Sequence, residues 1–172
     1  GVTVIASSGN DGVLSNASDS LVHLPSDLPK VISISATTPY NWAADPENTY
    51  LDNRASYSNY GSSSISFAAP GGSTDAAGLP GGLDVCQVGF VVNYCTVFDL
   101  VLSTSGTGSW YWSAGTSMAA PHAAGVAALI IGANGGDMKP SMVEREMRRY
   151  AEDLGKPGND HTFGAGRVTA PE

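Results

Sequence analysis

The chain has 172 residues, a length that fits one domain, and a globule near this size buries roughly 70% of the surface of its unfolded chain. An apolar fraction of 42% and a charged fraction of 14% argue against disorder. The net charge of −8, with its only basic cluster at Arg145, Arg148 and Arg149, argues against a nucleic-acid partner, and no apolar run reaches the roughly 20 residues of a membrane helix.

Strands and loops alternate through the first part of the chain. The β-branched run at residues 2–6 predicts a buried strand that ends at a Ser-Ser-Gly-Asn-Asp-Gly loop. Residues 31–36 predict a second strand, and residues 64–72 predict a short strand that a Pro-Gly-Gly sequence ends. Between these two strands, residues 38–58 are rich in Pro, Asn, Asp and Tyr and predict a long surface loop.

Residues 73–96 predict an insertion that contains a hairpin and both cysteines. The spacing of Cys86 and Cys95 matches no zinc or thioredoxin-type motif. In an oxidising compartment a disulfide between them would contribute about 2.5–3 kcal/mol through loop closure. A disulfide is the favoured interpretation and two buried free thiols are the alternative. The acidic, Lys-poor composition leans towards secretion.

The last part of the chain predicts two helices after one more strand. Residues 97–105 predict the strand, and the following Ser-Trp-Tyr-Trp-Ser-Ala-Gly sequence reads as a connection. Helices are expected over residues 116–131 and 141–154. The C-terminal segment HTFGAGRVTAPE is predicted to end in a short strand. Without repeats or a linker we expect a single domain, in which a sheet of strands apolar on both faces is covered on both sides.

The second helix has a predicted start signal of its own. Pro140 precedes it, and Ser141 with Glu144 has the spacing of a capping box.

The first helix carries a serine that invites a chemical interpretation. Ser117 stands among Gly, Ala and Thr directly before a run that is apolar all round, which predicts a buried helix. The helix N-terminus carries roughly half a positive charge, which favours an attacking hydroxyl and the charge that develops on a substrate carbonyl. Ser117 is therefore a candidate nucleophile, and ordinary helix-capping chemistry is the alternative.

No histidine of the sequence is recognisable as the base for this serine. His122 would lie about 7.5 Å along the helix and roughly 140° around it from Ser117, so its imidazole is expected to pack within the helix layer and hydrogen-bond there. Neither His23 nor His161 has a carboxylate at a sequence spacing that would identify it as a general base.

Two separated motifs resemble those of the subtilisin-like serine peptidases. The segment GTSMAAPHAAGVAAL closely resembles the family's nucleophile segment, and VTVIASSGNDG resembles its oxyanion-hole strand and loop. LPSDLPKVISISAT, ASYSNYGSSSISFAAPGG and FGAGRVTA follow the family's order, and only residues 40–53 and 73–96 lie outside the resemblance. It implies an α/β, subtilisin-like three-layer fold with a mostly parallel sheet, of which residues 1–172 are an incomplete C-terminal portion.

The resemblance also implies roles for individual residues. Ser117 matches the nucleophile, and its backbone N–H is expected to donate to the oxyanion beside the side chain of Asn10. The segment expected to wall the specificity pocket is Ala6, Ser7, Ser8 and Gly9. Asp11 is either a carboxylate at the pocket mouth that favours a basic substrate side chain or, as the simpler reading, a solvated turn residue.

The sequence departs from the family pattern in its triad. The family's Asp and His motifs do not occur in residues 1–172, so both are expected upstream, and this chain alone is expected to be inactive and poorly soluble. No cofactor is required for the chemistry and no metal ligand is assigned. Ser66 stands where some relatives place a calcium ligand, and the acidic loop is only a weak candidate through Asp45, Glu47 and Asp52.

The leading functional hypothesis is a secreted serine endopeptidase that cleaves unfolded or extended polypeptides through an acyl-enzyme on Ser117. Its expected partners are the polypeptide substrate and the missing N-terminal part of the same domain. The alternative is an inactive fragment or degenerate homologue that serves as a binding or assembly module. An α/β-hydrolase of the lipase type is rejected because no Gly-x-Ser-x-Gly elbow is present.

Overall fold

The computed structural model describes residues 1–15, 22–106 and 108–171. Its regular elements are β1 (Val4–Ser7), β2 (Val31–Thr38), β3 (Asn53–Arg54), β4 (Phe67–Pro70), β5 (Val85–Val88), β6 (Val91–Tyr94), β7 (Val101–Thr104), β8 (Trp110–Ser113), α1 (Thr116–Ala133) and α2 (Pro140–Tyr150), with short 3-10 helices at Asp75–Gly78 and Cys95–Asp99.

The main sheet is built around β2. Strands β1 and β4 pair with it in parallel on either side, and β3 pairs antiparallel with its last residues. Because parallel strands share a direction, the chain leaves β1 and β4 at the same edge of the sheet. The loops that follow these two strands are therefore brought close to each other.

Strand β2 is buried on both faces but is apolar on only one of them. Ile32, Ile34 and Ala36 belong to the hydrophobic core with the helices. The alternate residues are polar and buried, and Ser35 Oγ donates to Thr162 O in the C-terminal segment. Irregular chain therefore packs against the second face, and the prediction of strands apolar on both faces is wrong for β2.

Helix α1 packs one narrow stripe on the sheet. The buried stripe is Ala119, Ala123, Ala127 and Ile130. The opposite face is open, with Leu129 58% exposed, so the prediction of a helix buried all round is wrong for this structure. By length and composition alone α1 would suffice to cross a membrane; in this fold its small-residue stripe packs against β2 and β4 as part of the hydrophobic core.

Helix α2 begins and ends earlier than predicted. Pro140 is its first residue and Lys139 its N-cap, with no side-chain capping bond. Proline suits this position because the first helical N–H has no partner in any case. Ser141 thus lies inside the helix, the predicted capping box does not form, and the helix ends at Tyr150.

Two hairpins lie outside the main sheet. The predicted hairpin is present as β5 and β6, and the predicted disulfide joins Cys86 to Cys95. The second hairpin pairs β7 with β8, so the sequence read as a connection is in fact a strand. The stretch predicted as one strand over residues 97–105 starts instead as a 3-10 helix that ends at Asp99.

The segment predicted as a surface loop at residues 38–58 is partly internal. It contains β3, and Ala55 and Ser58 are fully buried, as is the adjoining Asn59. Arg54 explains part of this, because its guanidinium donates to Ser58 O at 2.7 Å and holds the chain in a tight turn. Polar composition misled the prediction because these polar groups are buried with partners.

Candidate active site

Ser117 is the exposed second residue of α1. A hydrogen bond to the residue after β4 holds the turn before Ser117 in place: Gly115 N donates to Gly71 O at 3.0 Å. The second N–H of a helix has no acceptor within the helix, so the backbone N–H of Ser117 is available to another group. The local fold thus presents a hydroxyl and an N–H at one solvent-facing point.

Asn10 lies in the loop after β1, and Thr116 fixes the orientation of its carboxamide. Asn10 Oδ1 accepts from Thr116 N at 2.9 Å and from Thr116 Oγ1 at 2.8 Å. Thr116 Oγ1 in turn accepts from Gly9 N at 3.2 Å. Because its oxygen is held by two donors, the amide group must turn its Nδ2 hydrogens away from Thr116.

The Asn10 amide and the Ser117 N–H border the same small space. A Cβ atom built on Gly115 would lie 3.4 Å from Asn10 Nδ2, 3.6 Å from Ser117 N and 3.7 Å from Met118 Sδ. Glycine leaves this space free of side-chain atoms. Asn10 Nδ2 and the backbone nitrogen of Ser117 therefore border one space beside Gly115.

The predicted pocket wall consists of the last two residues of β1, Ala6 and Ser7, and the next two residues, Ser8 and Gly9. Ala6 and Ser8 are buried, whereas Ser7 and Gly9 are partly exposed. Ser8 N donates to Ile34 O at 3.0 Å, which continues the pairing of β1 with β2. Of the predicted wall, Ser7 and Gly9 are thus the residues with surface that a substrate could touch.

A groove of about 510 Å³ lies beside Ser117, between the β7–β8 hairpin and α1. Its walls are mostly apolar and include Leu102, Tyr111, Met118 and Leu129. His122 is the titratable group on the helix side of this groove. No carboxylate lines the groove within the described part of the chain.

None of the three histidines hydrogen-bonds Ser117 Oγ within residues 1–15, 22–106 and 108–171. His122 Nδ1 lies 2.8 Å from Met118 O, which confirms the predicted intrahelical bond, but its side chain is exposed and the prediction of a packed residue is wrong. His161 packs beside the ring of Tyr60.

His23 has carboxylate neighbours that sequence spacing did not reveal. Its Nε2 lies 3.2 Å from Asp11 Oδ2, and its Nδ1 lies 3.9 Å from Asp27 Oδ2. Asp11 is therefore not simply a solvated turn residue, although its side chain is 62% exposed. Asn59 also contacts this ring, with 3.0 Å between Asn59 Nδ2 and His23 Nε2.

Three of the candidate calcium residues, Asp45, Asp52 and Ser66, have other partners. Asp52 pairs with Arg167 at 2.9 Å, and burial raises the pKa of its carboxyl although Arg167 opposes this. Asp45 accepts from Asn48 Nδ2, and Ser66 Oγ accepts from Ser33 N. Within the residues described, no three acidic, histidine or cysteine side chains come together as a metal site.

Comparison with known sequences supports the relation suggested by the motifs. A sequence model of the subtilase family matches residues 1–166. An extracellular protease of Xanthomonas campestris pv. campestris is 33% identical over 171 residues, and the serine protease AprX of Bacillus subtilis is 30% identical over 176 residues. The matches cover 99% of this chain but only 23% and 34% of these relatives.

Comparison with solved structures gives the same fold. A lanthipeptide protease superposes with a TM-score of 0.67 at 31% identity, over 97% of this chain and 48% of that protein. The epidermin leader peptide processing protease EpiP of Staphylococcus aureus superposes with a TM-score of 0.70 at 20% identity, over 96% of this chain and 38% of that protein. The chain thus spans less than half of each structure.

Proposed function

The chain belongs to the subtilase family, and from this premise we propose that it is the nucleophile-bearing part of a serine endopeptidase. Ser117 Oγ gives its proton to a general base and attacks the carbonyl carbon of a peptide bond. The C–N bond then breaks, the amine leaves with that proton, and water hydrolyses the acyl-enzyme that remains. Asn10 Nδ2 and the Ser117 N–H donate to the oxygen that becomes negative. The observation that supports this proposal is the space beside Gly115, which Asn10 Nδ2 and Ser117 N both border.

The geometry favours the transition state over the bound substrate. In the tetrahedral intermediate the former carbonyl oxygen carries a full negative charge, and N–H groups that are already oriented stabilise it without reorganisation. Thr116 supplies that orientation for Asn10 by occupying its amide oxygen. A donor of this kind is worth about 2.7–4 kcal/mol of transition-state stabilisation.

The general base comes, in this proposal, from a part of the protein outside residues 1–172. Ser117 needs a base within about 2.6–3.2 Å of its hydroxyl, and an Asp to orient that base. We place the segment that carries them at the groove beside Ser117, where it would cover the apolar walls on α1 and β7. This segment is the proposed partner, the N-terminal part of the same catalytic domain.

The proposed substrates are unfolded or extended polypeptides that lie as a strand along the edge of β1 that faces away from β2. An extended backbone can pair with such an edge, which gives affinity without restricting the substrate sequence.

We also propose secretion, because the relative from Xanthomonas is named as extracellular and the Cys86–Cys95 disulfide suits an oxidising compartment. The chemistry itself requires no cofactor.

The test uses the full-length protein that contains this chain, with denatured casein and a fluorophosphonate probe. We expect casein cleavage and labelling of Ser117, both abolished by Ser117→Ala, and neither reaction with residues 1–172 alone. Ser62→Ala, a substitution of an exposed serine outside the groove, is the control and should keep the labelling. A full-length protein that folds but shows no labelling of Ser117 would favour the alternative of a non-catalytic binding module.

A further inference from the structure

The segment between β3 and β4 is hydrogen-bonded to the loop that carries Asn10 and, through Gly71, to the turn before Ser117. Asn10 Nδ2 and Ser117 N are the two donors of the proposed oxyanion hole. We name residues 55–60 the clamp segment. Asn59 and Ser58 are fully buried in it, and both are polar. Buried polar side chains persist where their hydrogen bonds are satisfied, so their partners show what the segment holds in place.

On one side, the clamp segment is hydrogen-bonded to the loop that carries Asn10. The carboxamide and backbone of Asn59 bond residues on both sides of Asn10: Nδ2 donates to Ser8 O at 3.0 Å, N donates to Gly9 O at 3.1 Å, and Oδ1 accepts from Asp11 N at 3.0 Å and Val13 N at 3.2 Å. One buried side chain therefore fixes the backbone before and after Asn10.

Gly9 shows how closely this loop approaches the clamp segment. A Cβ atom on Gly9 would lie 2.4 Å from Asn59 Nδ2, and its φ of 100° is one that residues with side chains rarely adopt. Only glycine permits this approach. The position of Asn10 thus depends on direct contact between its neighbouring backbone and Asn59.

On the other side, the clamp segment reaches the turn before Ser117. Tyr57 Oη donates to the carbonyl oxygens of Gly71 and Gly72. Gly71 O also accepts from Gly115 N, which lies two residues before Ser117. Burial raises the pKa of Tyr57, so its hydroxyl remains protonated and able to donate.

We propose that Asn59 and Tyr57 are positioning residues that set the relative placement of the two oxyanion donors, Asn10 Nδ2 and Ser117 N. This inference rests on the proposed function. In this proposal neither residue touches the substrate. Their effect on catalysis passes through the loop around Asn10 for Asn59, and through the Gly71 and Gly115 backbone for Tyr57.

The experiment measures kcat and KM of the full-length protein with a peptide nitroanilide. The variants are Asn59→Ala, Asn59→Ser and Tyr57→Phe, with Asn48→Ala and Tyr50→Phe as exposed controls. Asn59→Ala and Asn59→Ser are also made in the Asn10→Ala background. We expect Asn59→Ala to lower kcat at least about tenfold, part of the roughly 10²–10³ that an oxyanion donor supplies, with KM changed less than about twofold.

The double variants separate a positioning role from a structural one. If Asn59 acts through Asn10, the Asn59 substitutions lower kcat less than about twofold once Asn10 is alanine. The same factor in both backgrounds, or unchanged kcat in the single variants, overturns the proposal. If Asn59→Ala does not accumulate, Asn59→Ser and Tyr57→Phe decide, since Tyr57→Phe removes only one oxygen atom and is expected to lower kcat several-fold.

Failure of the proposed function gives a different result. In that case Ser117→Ala keeps activity, or Asn10→Ala leaves kcat unchanged. If those two variants behave as proposed and the Asn59 and Tyr57 variants match the Asn48 and Tyr50 controls, only the positioning inference fails.

Discussion

The orientation of one carboxamide is the residue-scale feature on which the proposed chemistry depends. Asn10 is exposed, so its amide could rotate freely in water. The two hydrogen bonds that Thr116 gives to Oδ1 prevent this, and Nδ2 borders the space beside Gly115. A polar group that is already oriented costs no reorganisation in the transition state.

Replacement of Asn10 tests this role. In the full-length protein, Asn10→Ala is expected to lower kcat by roughly 10²–10³, or about 2.7–4 kcal/mol, with little change in KM, because the donor acts mainly on the charged intermediate. Steady-state kinetics with a peptide substrate measure this. Asn48→Ala, an exposed asparagine in another loop, should leave kcat unchanged. A kcat for Asn10→Ala within about twofold of the parent would contradict the assignment.

At the scale of elements, the short helix Asp75–Gly78 is tied to the clamp segment. Asp75 Oδ2 accepts from Ser56 N at 2.9 Å and Oδ1 accepts from Ser56 Oγ at 2.6 Å. Burial disfavours the charged carboxylate, but the hydrogen bonds from Ser56 and Ser73 and the charge of Arg54 together outweigh this effect, and the pKa of Asp75 is below its usual range. The predicted insertion is thus connected to the segment behind the site.

Substitution of Asp75 should have a pH-dependent effect on stability. A carboxylate with a lowered pKa stabilises the fold above its unfolded pKa, and this contribution is lost as pH falls through the folded pKa. Asp75→Asn is therefore expected to lower the free energy of unfolding by about 1 kcal/mol near neutral pH, a figure that allows for solvent screening. Urea unfolding at about pH 7 and about pH 3 measures this, and the difference should shrink at the lower pH.

The control for this prediction is Asp84→Asn, an exposed carboxylate in the same predicted insertion. It should have little effect on unfolding at either pH. A loss of stability for Asp75→Asn that is equally large at both pH values would contradict the role of the charged carboxylate.

At the scale of the whole molecule, the apolar groove and the open face of α1 are surfaces without partners in the described residues. Leu129 is 58% exposed and lines the groove beside Ser117. Exposed contiguous apolar surface of this kind marks an interface or a site of association. We expect the groove and the open face of α1 to be exposed in residues 1–172 alone, because in our proposal another part of the protein covers α1.

Residues 1–172 produced alone should associate through this surface, and Leu129→Lys should reduce the association. In the full-length protein the same substitution should lower the yield of active enzyme, because a buried leucine contributes about 1.5–3 kcal/mol. Analytical ultracentrifugation and active-site titration measure the two effects. Leu83→Lys, a similarly exposed leucine in the predicted insertion, is the control. A monodisperse monomer of residues 1–172 would contradict the prediction.

The sequence alone determined the family, the nucleophile candidate and most of the elements. The strands β1, β2 and β4, both helices and the disulfide hairpin were predictable because each depends on local propensity or on a short motif. The role of Ser117 stays a prediction, although its place at the start of α1 is the one that the apolar helix pattern implies.

Only the tertiary structure decided what surrounds these residues. The hydrogen bonds of Thr116 to Asn10 and of Asn59 to the same loop join residues 106 and about 50 positions apart, so no local pattern could reveal them. The sequence of the clamp segment predicts a polar surface loop, because composition shows which side chains are polar but not which of them are buried with hydrogen-bond partners. Burial of Asn59 and exposure of Leu129 are both set by which segments pack together, which is a property of the whole chain.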